Sequence, residues 1–191
     1  SYRISMEKRG GTALHSSWNW ELISDKTMDW WLPRLRRIKQ AFPHKVLVAS
    51  IMAGSEDEKE LNHWRELTLG CQEEGVDAFE LNLSCAHMDR VDMGSNIGKN
   101  VQLIDTVVRA VKSVAKKPVW VKLTPTTTNI AKEAEAAFNA GADSITSSNT
   151  FTSLPPIDPA SLEFEVNVDG KVSYGGLGGP AILPLSLAKM S

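Results

Sequence analysis

Cysteine and tyrosine are scarce in this chain, each occurring twice in 191 residues. Two thiols, Cys71 and Cys85, cannot by themselves build an iron–sulfur cluster or a cysteine-only zinc site. No apolar run approaches the roughly 20 residues that a membrane-spanning helix needs, and the opening SYRISMEKRG does not read as a signal peptide. Charge of one sign is also missing: the net charge is −2 and there is no basic run. Nucleic acid and anionic membranes therefore gain no support as partners. The expectation is a cytoplasmic protein, one domain by its length, with a sizeable core.

What is present gathers around Ala78–Gly98, AFELNLSCAHMDRVDMGSNIG. Phe79, Leu81 and Leu83 alternate with Glu80, Asn82 and Ser84 at the period of a β-strand. Cys85 follows at once, then a polar loop with Gly94 and Gly98, and a helical pattern resumes near Asn100. Polar residues at the C-terminal end of a strand, ahead of a loop and helix, are where α/β folds place their chemistry. Asn82 and Ser84 offer neutral donors and acceptors suited to a planar polar ligand, and Cys85 offers a thiol that can exchange a proton. Taken alone, the same stretch also fits a buried strand with an inert cysteine.

In chain order, residues 1–24 read as loop, with the two indoles of SSWNWELIS flanking Asn19. Asp25 to Phe42 reads as a helix with Trp31, Leu35, Ile38 and Phe42 on one face and Pro33 marking an early turn or break. Val46 to Met52 is a short apolar strand. Ser55 to Glu74 is a helix in which Cys71 falls on the apolar stripe, a core position, and Gly75 stops it. Val101 to Val114 carries the clearest helical stripe. Val119 to Leu123 is a strand that contains Lys122, Ile130 to Ala140 a helix stopped by Gly141, and Ser144 to Ser148 a strand ending at Asn149 and Thr150. GVDAF at Gly75 and GADSI at Gly141 form a weak internal repeat, each joining a helix end to a strand start. FEVNVDGKVSY reads as a hairpin turning at Asp169-Gly170, and GGLGGP leads into a final helix over Ala181 to Met190.

Alternating strands and helices with short joins imply parallel strands and right-handed crossovers. A (β/α) barrel needs eight strands and about 250 residues. The reading is therefore α/β, the incomplete central portion of a (β/α)8 TIM barrel with an inserted hairpin, residues 1–191 forming one domain truncated at both ends. Asn82, Ser84, Cys85, Lys122, Asn149 and Thr150 fall at strand ends that converge on one face. A lysine in an apolar strand needs an acceptor or an anion, and a structural ion pair satisfies that need as well as a ligand does. GGLGG ahead of a helix is compatible with backbone approach to a phosphate.

These motifs, WNWELIS, ELNLSCAH, DMGSNIG, VKLTP, SNT and VDGKVSYGGLGGPA, resemble in order and over nearly the whole chain the flavin-binding barrel of dihydropyrimidine dehydrogenases. The likeness is to the catalytic subunit of the bacterial NAD-dependent form, itself related to class 1 dihydroorotate dehydrogenases. The resemblance implies an FMN-dependent oxidoreductase of pyrimidine catabolism that interconverts uracil or thymine and the 5,6-dihydropyrimidine. It implies that Cys85 is the general acid at C5 while hydride reaches C6 from reduced FMN. It further implies that Asn19, Asn82, Ser84, Asn149 and Thr150 hold the pyrimidine, that Lys122 contacts the flavin, and that Gly179 lies near its ribityl phosphate. Iron–sulfur clusters and NAD(H) are expected only on parts or partners outside this chain, in an oligomer with an NADH, FAD and iron–sulfur electron-transfer subunit. No metal site is expected.

Two departures stand out. Ala86 follows the cysteine where the family usually has proline, which loosens the loop that carries the thiol, and Thr126 replaces a common asparagine. The barrel strands that cradle the isoalloxazine and grip the phosphate are expected to be missing, so that tight FMN binding by this stretch alone is not expected. A class 1 dihydroorotate dehydrogenase is the alternative, although its thiol-type motif usually runs SCPN and no basic partner for orotate stands near these motifs. An inactive barrel fragment is the other.

Overall fold

In the computed structural model, residues 4–8, 14–20, 23–85, 92–167 and 170–190 are described. They fall into two compact units, one comprising Ser24–Asn149 and the other Ser1–Ile23 with Thr150–Ser191.

In the first unit, strand and helix alternate: α1 (Met28–Ala41), β3 (Val48–Ile51), α2 (Glu58–Glu73), β4 (Ala78–Asn82), α3 (Val101–Lys112), β5 (Val119–Lys122), α4 (Ile130–Asn139) and β6 (Ser144–Thr146). The strands lie in the order β3-β4-β5-β6 with every pair parallel. This is the arrangement of part of a (β/α) barrel, and among the described residues it remains an open sheet. Helices α2 and α3 start under side-chain caps, whereas Thr27 and Asn129 precede α1 and α4 without making one. Asp57 accepts the Glu60 N–H at 2.9 Å, and Asn100 accepts those of Gln102 and Leu103 at 3.0 and 3.2 Å. Gly75 and Gly141, with φ of +87° and +104°, follow α2 and α4 in the left-handed conformation that ends a helix most cheaply at glycine.

Period-two alternation sorts the sheet. Ala49, Ile51, Phe79, Leu81, Val119 and Val121 join Trp64, Ile104, Val107, Val108 and Val111 in one core beneath the helices. Cys71 is buried in the same core, as its place on the stripe predicts. Ser50, Glu80, Asn82, Trp120, Lys122 and Thr146 occupy the alternate positions, and pairing sets them in rows. Ser50, Glu80, Trp120 and Ser144 stand abreast, then Asn82, Lys122 and Thr146.

The GVDAF/GADSI repeat proves to be a repeated latch. Asp77 donates its N–H to the Leu47 carbonyl at 2.8 Å, and its carboxylate accepts the Leu47 N–H and the Lys39 ammonium, both at 2.7 Å. Asp143 does the same with Val119 and Lys112, at 2.8 Å throughout. Each latch ties a helix and the start of the strand after it to the start of the next strand.

Several expectations need correction. Pro33 lies inside α1 without ending it. Of the helix's expected core face only Leu35 is buried. Trp31, Ile38 and Phe42 are exposed, while Met28 and Leu32 of α1 lie against Gly70 of α2. Residues 1–24 are not all loop. In the second unit β1 (Ile4–Lys8) and β2 (Leu14–Asn19) pair antiparallel, and the sheet runs β1-β2-β8-β7, with β7 at Phe151–Ser153 and β8 at Gly175–Gly178. The glycine run is thus a central strand rather than a loop. A Cβ at Gly175 would overlap the Trp18 indole, and one at Gly176 the Thr150 hydroxyl. The sequence of β2 shows no hydrophobic alternation because its buried face carries Ser16 beside Trp18. The turn of the hairpin expected over 164–174 includes Asp169, which with residue 168 lies outside those described. Phe164 makes an isolated antiparallel bridge to Ile157. Pro180–Ile182 forms a 3-10 turn before α5 (Leu183–Met190). No helix among the described residues is long and apolar enough to cross a membrane.

Two predictions concern this frame. The lysine hydrogen bond first, then the strand N–H, hold the carboxyls of Asp77 and Asp143 below the usual carboxylate range. Groups depressed on folding stabilise fully above their unfolded value of about 3.9 and lose that contribution as pH falls through the folded one. The melting temperature should therefore drop on acidification below about pH 5. The double substitution Asp77→Asn, Asp143→Asn should lower it at neutral pH and flatten the acid limb, and an acid limb of unchanged slope would refute the assignment. Gly98, in the 3-10 turn Gly94–Lys99, has no room for a Cβ, which would overlap the Leu83 carbonyl oxygen at the end of β4. Gly98→Ala should cost about 1–3 kcal/mol, as overpacking does, read as a lower urea midpoint.

Candidate active site

Immediately beyond the C-terminal end of β4 the backbone places Leu83 in the core, Ser84 away from it, and Cys85 at the mouth of the next loop. Asn82 Oδ1 accepts the Ser84 N–H at 3.3 Å and the Ser84 hydroxyl at 2.9 Å. From beyond β6, Asn149 Nδ2 donates to the Ser84 carbonyl at 3.3 Å and to its hydroxyl at 2.9 Å. A backbone N–H can only donate and a carbonyl can only accept, so these two contacts fix the orientation of both amides. The hydroxyl, taking a proton from Asn149, must give its own to Asn82. The polarity of the whole chain is thereby determined, with Asn82 Nδ2 and Asn149 Oδ1 both turned away from Ser84.

Ser84 itself is 2% exposed. Its side chain bridges the two amides, a different task from the ligand contact expected of it. Cys85 is also buried, and its carbonyl accepts the Ser95 N–H at 2.9 Å. The loop returns at Asp92, whose carboxylate and carbonyl accept the N–H and hydroxyl of Ser55 at 3.3 and 3.0 Å. Ala86 and the residues through 91 lie outside those described. The other departure, Thr126, accommodates itself locally: its hydroxyl lies 2.8 Å from that of Thr124.

Lys122 has a partner. Its ammonium lies 2.8 Å from Glu80 Oε1, both side chains about one-fifth exposed. The second carboxylate oxygen accepts the Thr146 hydroxyl at 3.1 Å. Sequence reasoning asked for an acceptor and did not name Glu80. The signal was available, since Glu80 stands two positions before Asn82 and so on the same face. The second thiol takes no part: burial, then the Glu74 charge, push Cys71 up to about 11.

The first unit therefore brings together Asn82, Ser84, Cys85, Lys122 and Asn149. In the second unit Asn19 and Thr150 meet around Gly176. Asn19 Nδ2 donates to the Gly176 carbonyl at 3.2 Å, and a Cβ on Gly176 would strike Thr150. Gly179, at φ +85°, follows β8 beside the Ser16 backbone. Among the described residues no group of three or more His, Cys, Asp or Glu could hold a metal ion.

Comparison with known proteins gives this arrangement a family. The chain is 36% identical over 173 residues to "Dihydropyrimidine dehydrogenase (NADP(+)), chloroplastic" of Arabidopsis thaliana, covering 90% of this chain and 40% of that one. It is 37% identical over 169 residues to "NAD-dependent dihydropyrimidine dehydrogenase subunit PreA" of Escherichia coli K12, covering 88% and 40%. It is 38% identical over 141 residues to "Dihydroorotate dehydrogenase B (NAD(+)), catalytic subunit" of Methanosarcina mazei, covering 74% and 41%. The chain thus spans about two fifths of the length of these curated relatives. The family model described as dihydroorotate dehydrogenase matches residues 25–191, and the chain belongs to that family.

Proposed function

We propose that this chain carries part of the active site of a flavin-dependent pyrimidine oxidoreductase acting on neutral pyrimidines, uracil or thymine and their 5,6-dihydro forms. The observation that carries the reading is the polarised chain Asn149–Ser84–Asn82 beside Cys85. A pyrimidine edge alternates carbonyl acceptors and N–H donors, and oriented amides match it without charge. The two dehydrogenases of dihydropyrimidines named above support the substrate class.

The donor set of this face also fits an FMN ring. It offers amides and hydroxyls for the polar edge of an isoalloxazine and one ammonium, Lys122, in the same row as Asn82. When bound, FMN supplies the hydride that adds at C6. The protein's own residues do the rest. Asn82, oriented through Ser84, presents its Nδ2 donor to a ring carbonyl, and Asn149 holds that orientation from β6. Cys85 delivers a proton to C5 in the reducing direction and takes it back in the oxidising one, as a general acid–base group must. NAD(H), iron–sulfur clusters and a partner subunit that carries electrons belong to this reading as inputs from outside the chain.

Dihydroorotate dehydrogenase activity is the second reading, favoured by the Methanosarcina relative. Orotate adds a carboxylate to the ring and calls for an uncompensated cation. Among the described residues on this face of β3–β6 the cation is Lys122, already paired with Glu80, and this favours the neutral ring.

Two experiments on the FMN-loaded enzyme test the proposal. Asn82→Ala should raise KM for uracil or thymine and lower kcat/KM by the equivalent of about 1–3 kcal/mol, leaving a ring carbonyl unpaired while the flavin stays bound. Dihydroorotate proving the better substrate by orders of magnitude would hand the case to the second reading. Cys85→Ala should slow single-turnover pyrimidine reduction by about 10²–10⁴-fold, with FMN content and flavin reduction by the donor nearly unchanged. Cys85→Ser should resemble alanine, because a hydroxyl keeps the shape and loses the acidity of a thiol, and one limb of the pH–rate profile should vanish in both. A serine variant at full speed would make Cys85 a packing residue.

A further inference from the structure

Glu80 has no role in the function argued so far, yet it is one of the most constrained polar groups on the sheet. A carboxylate in the middle of a parallel strand, with the helices' core directly behind it, should be replaceable by any residue that fills the space. Here both of its oxygens are engaged, from different neighbouring strands. Oε1 holds the Lys122 ammonium of β5 at 2.8 Å, and Oε2 accepts the Thr146 hydroxyl of β6 at 3.1 Å. Lys122 and Thr146 are register partners, and so are Asn82 and Lys122. The carboxylate thus reaches across β5 to β6 and pins the lysine between the two contacts. With side chains only 18% and 20% exposed, the pair is less screened than a surface ion pair.

We propose that Glu80 is a positioning residue that sets how much of the Lys122 positive charge reaches the flavin, and so sets the flavin's reduction potential. This rests on the reading of the face as a flavin site. The paired ammonium and carboxylate sum to zero, which suits neutral oxidised flavin and a neutral pyrimidine. Reduced flavin carries negative charge, and the lysine alone would favour it strongly. The carboxylate holds that preference down, so that electrons delivered to the flavin remain available to the pyrimidine. Thr146, by fixing the second oxygen, keeps the carboxylate from swinging away when the lysine is drawn toward a bound ring.

The test compares the FMN-loaded enzyme in four forms, wild type, Glu80→Gln, Lys122→Gln and the double variant, by spectroelectrochemical titration and by FMN affinity. Glu80→Gln should favour reduced over oxidised FMN by about tenfold, a positive shift of about 30 mV for a two-electron couple. Lys122→Gln should shift the potential the other way. The double variant, with two neutral amides in place of an ion pair that sums to zero, should return close to the wild-type potential. A potential unchanged in Glu80→Gln, with only the melting temperature lowered, would overturn the proposal, as would a double variant that kept the full Lys122→Gln shift. If Glu80→Gln does not fold, Glu80→Asp retains the charge one methylene further from Lys122. It should move the potential in the same direction by a smaller amount, and a wild-type value there would overturn the proposal. A full-length wild-type protein that folded and took up no FMN would overturn the flavin reading and this inference together. Normal uptake with an unresponsive potential would overturn this inference alone.

Discussion

Phe79, Leu81 and Leu83 point under the helices, so Glu80, Asn82 and Ser84 must point the other way, and this two-sidedness of β4 governs the rest of the first unit. Parallel strands are usually buried on both faces and read as continuous apolar runs. Here each strand devotes one face to the core, and the other carries polar groups with Trp120 among them. The core side supplies the stability, with Trp64, Ile104, Val107 and Val108 inaccessible to solvent. That rigid backing allows the opposite face to hold amides, hydroxyls and an ion pair in fixed rows. A one-residue slip of β4 would exchange the two sets, placing Glu80 and Asn82 in the core.

The polar face is organised by proton direction as much as by position. Two backbone groups that have no choice about donating or accepting fix the Asn82 and Asn149 amides, and the Ser84 hydroxyl passes that constraint between strands that are not neighbours. Glu80 does the corresponding work for charge, joining β4, β5 and β6 through one carboxylate. The neutral amides and the charge on this face are therefore both held by partners of their own, Asn82 and Asn149 through Ser84 and Lys122 through Glu80. Beyond Cys85, whose carbonyl accepts the Ser95 N–H, Asp92 is held by Ser55.

Much of this was legible in the sequence because period two and period 3.6 are strong signals in the first unit. The α-helices and strands described there match the pattern to within a few residues, whereas the 3-10 turn Gly94–Lys99 reads as loop; of the six polar residues expected on one face, Thr150 falls in the other unit. What escaped had physical reasons. Strand β2 places a serine on its buried side, and β8 is built almost wholly of glycine because neighbouring side chains occupy its volume, so neither shows a hydrophobic alternation. The exposed face of α1 could not be told from a core face by periodicity, since a stripe says nothing about what covers it. Glu80 was hidden in plain view: a strand pattern assigns a face, and only register across β4 and β5 reveals a partner.

The repeated aspartate latch has a consequence for how such a chain can change. At the N-terminal edge of the sheet the same three-part device occurs twice, before β4 and before β6, with interchangeable parts: an aspartate, a strand N–H and a helix lysine. At the opposite edge, among the described residues, the contacts differ from strand to strand: Asn82 and Asn149 meet through Ser84, and Lys122 and Thr146 through Glu80. The sheet is thus modular at one end and individual at the other. Units joined at the latch end would leave the amides and the ion pair at the other end untouched. The two edges can accordingly drift at different tempos, one as shared hardware and the other as a private inscription.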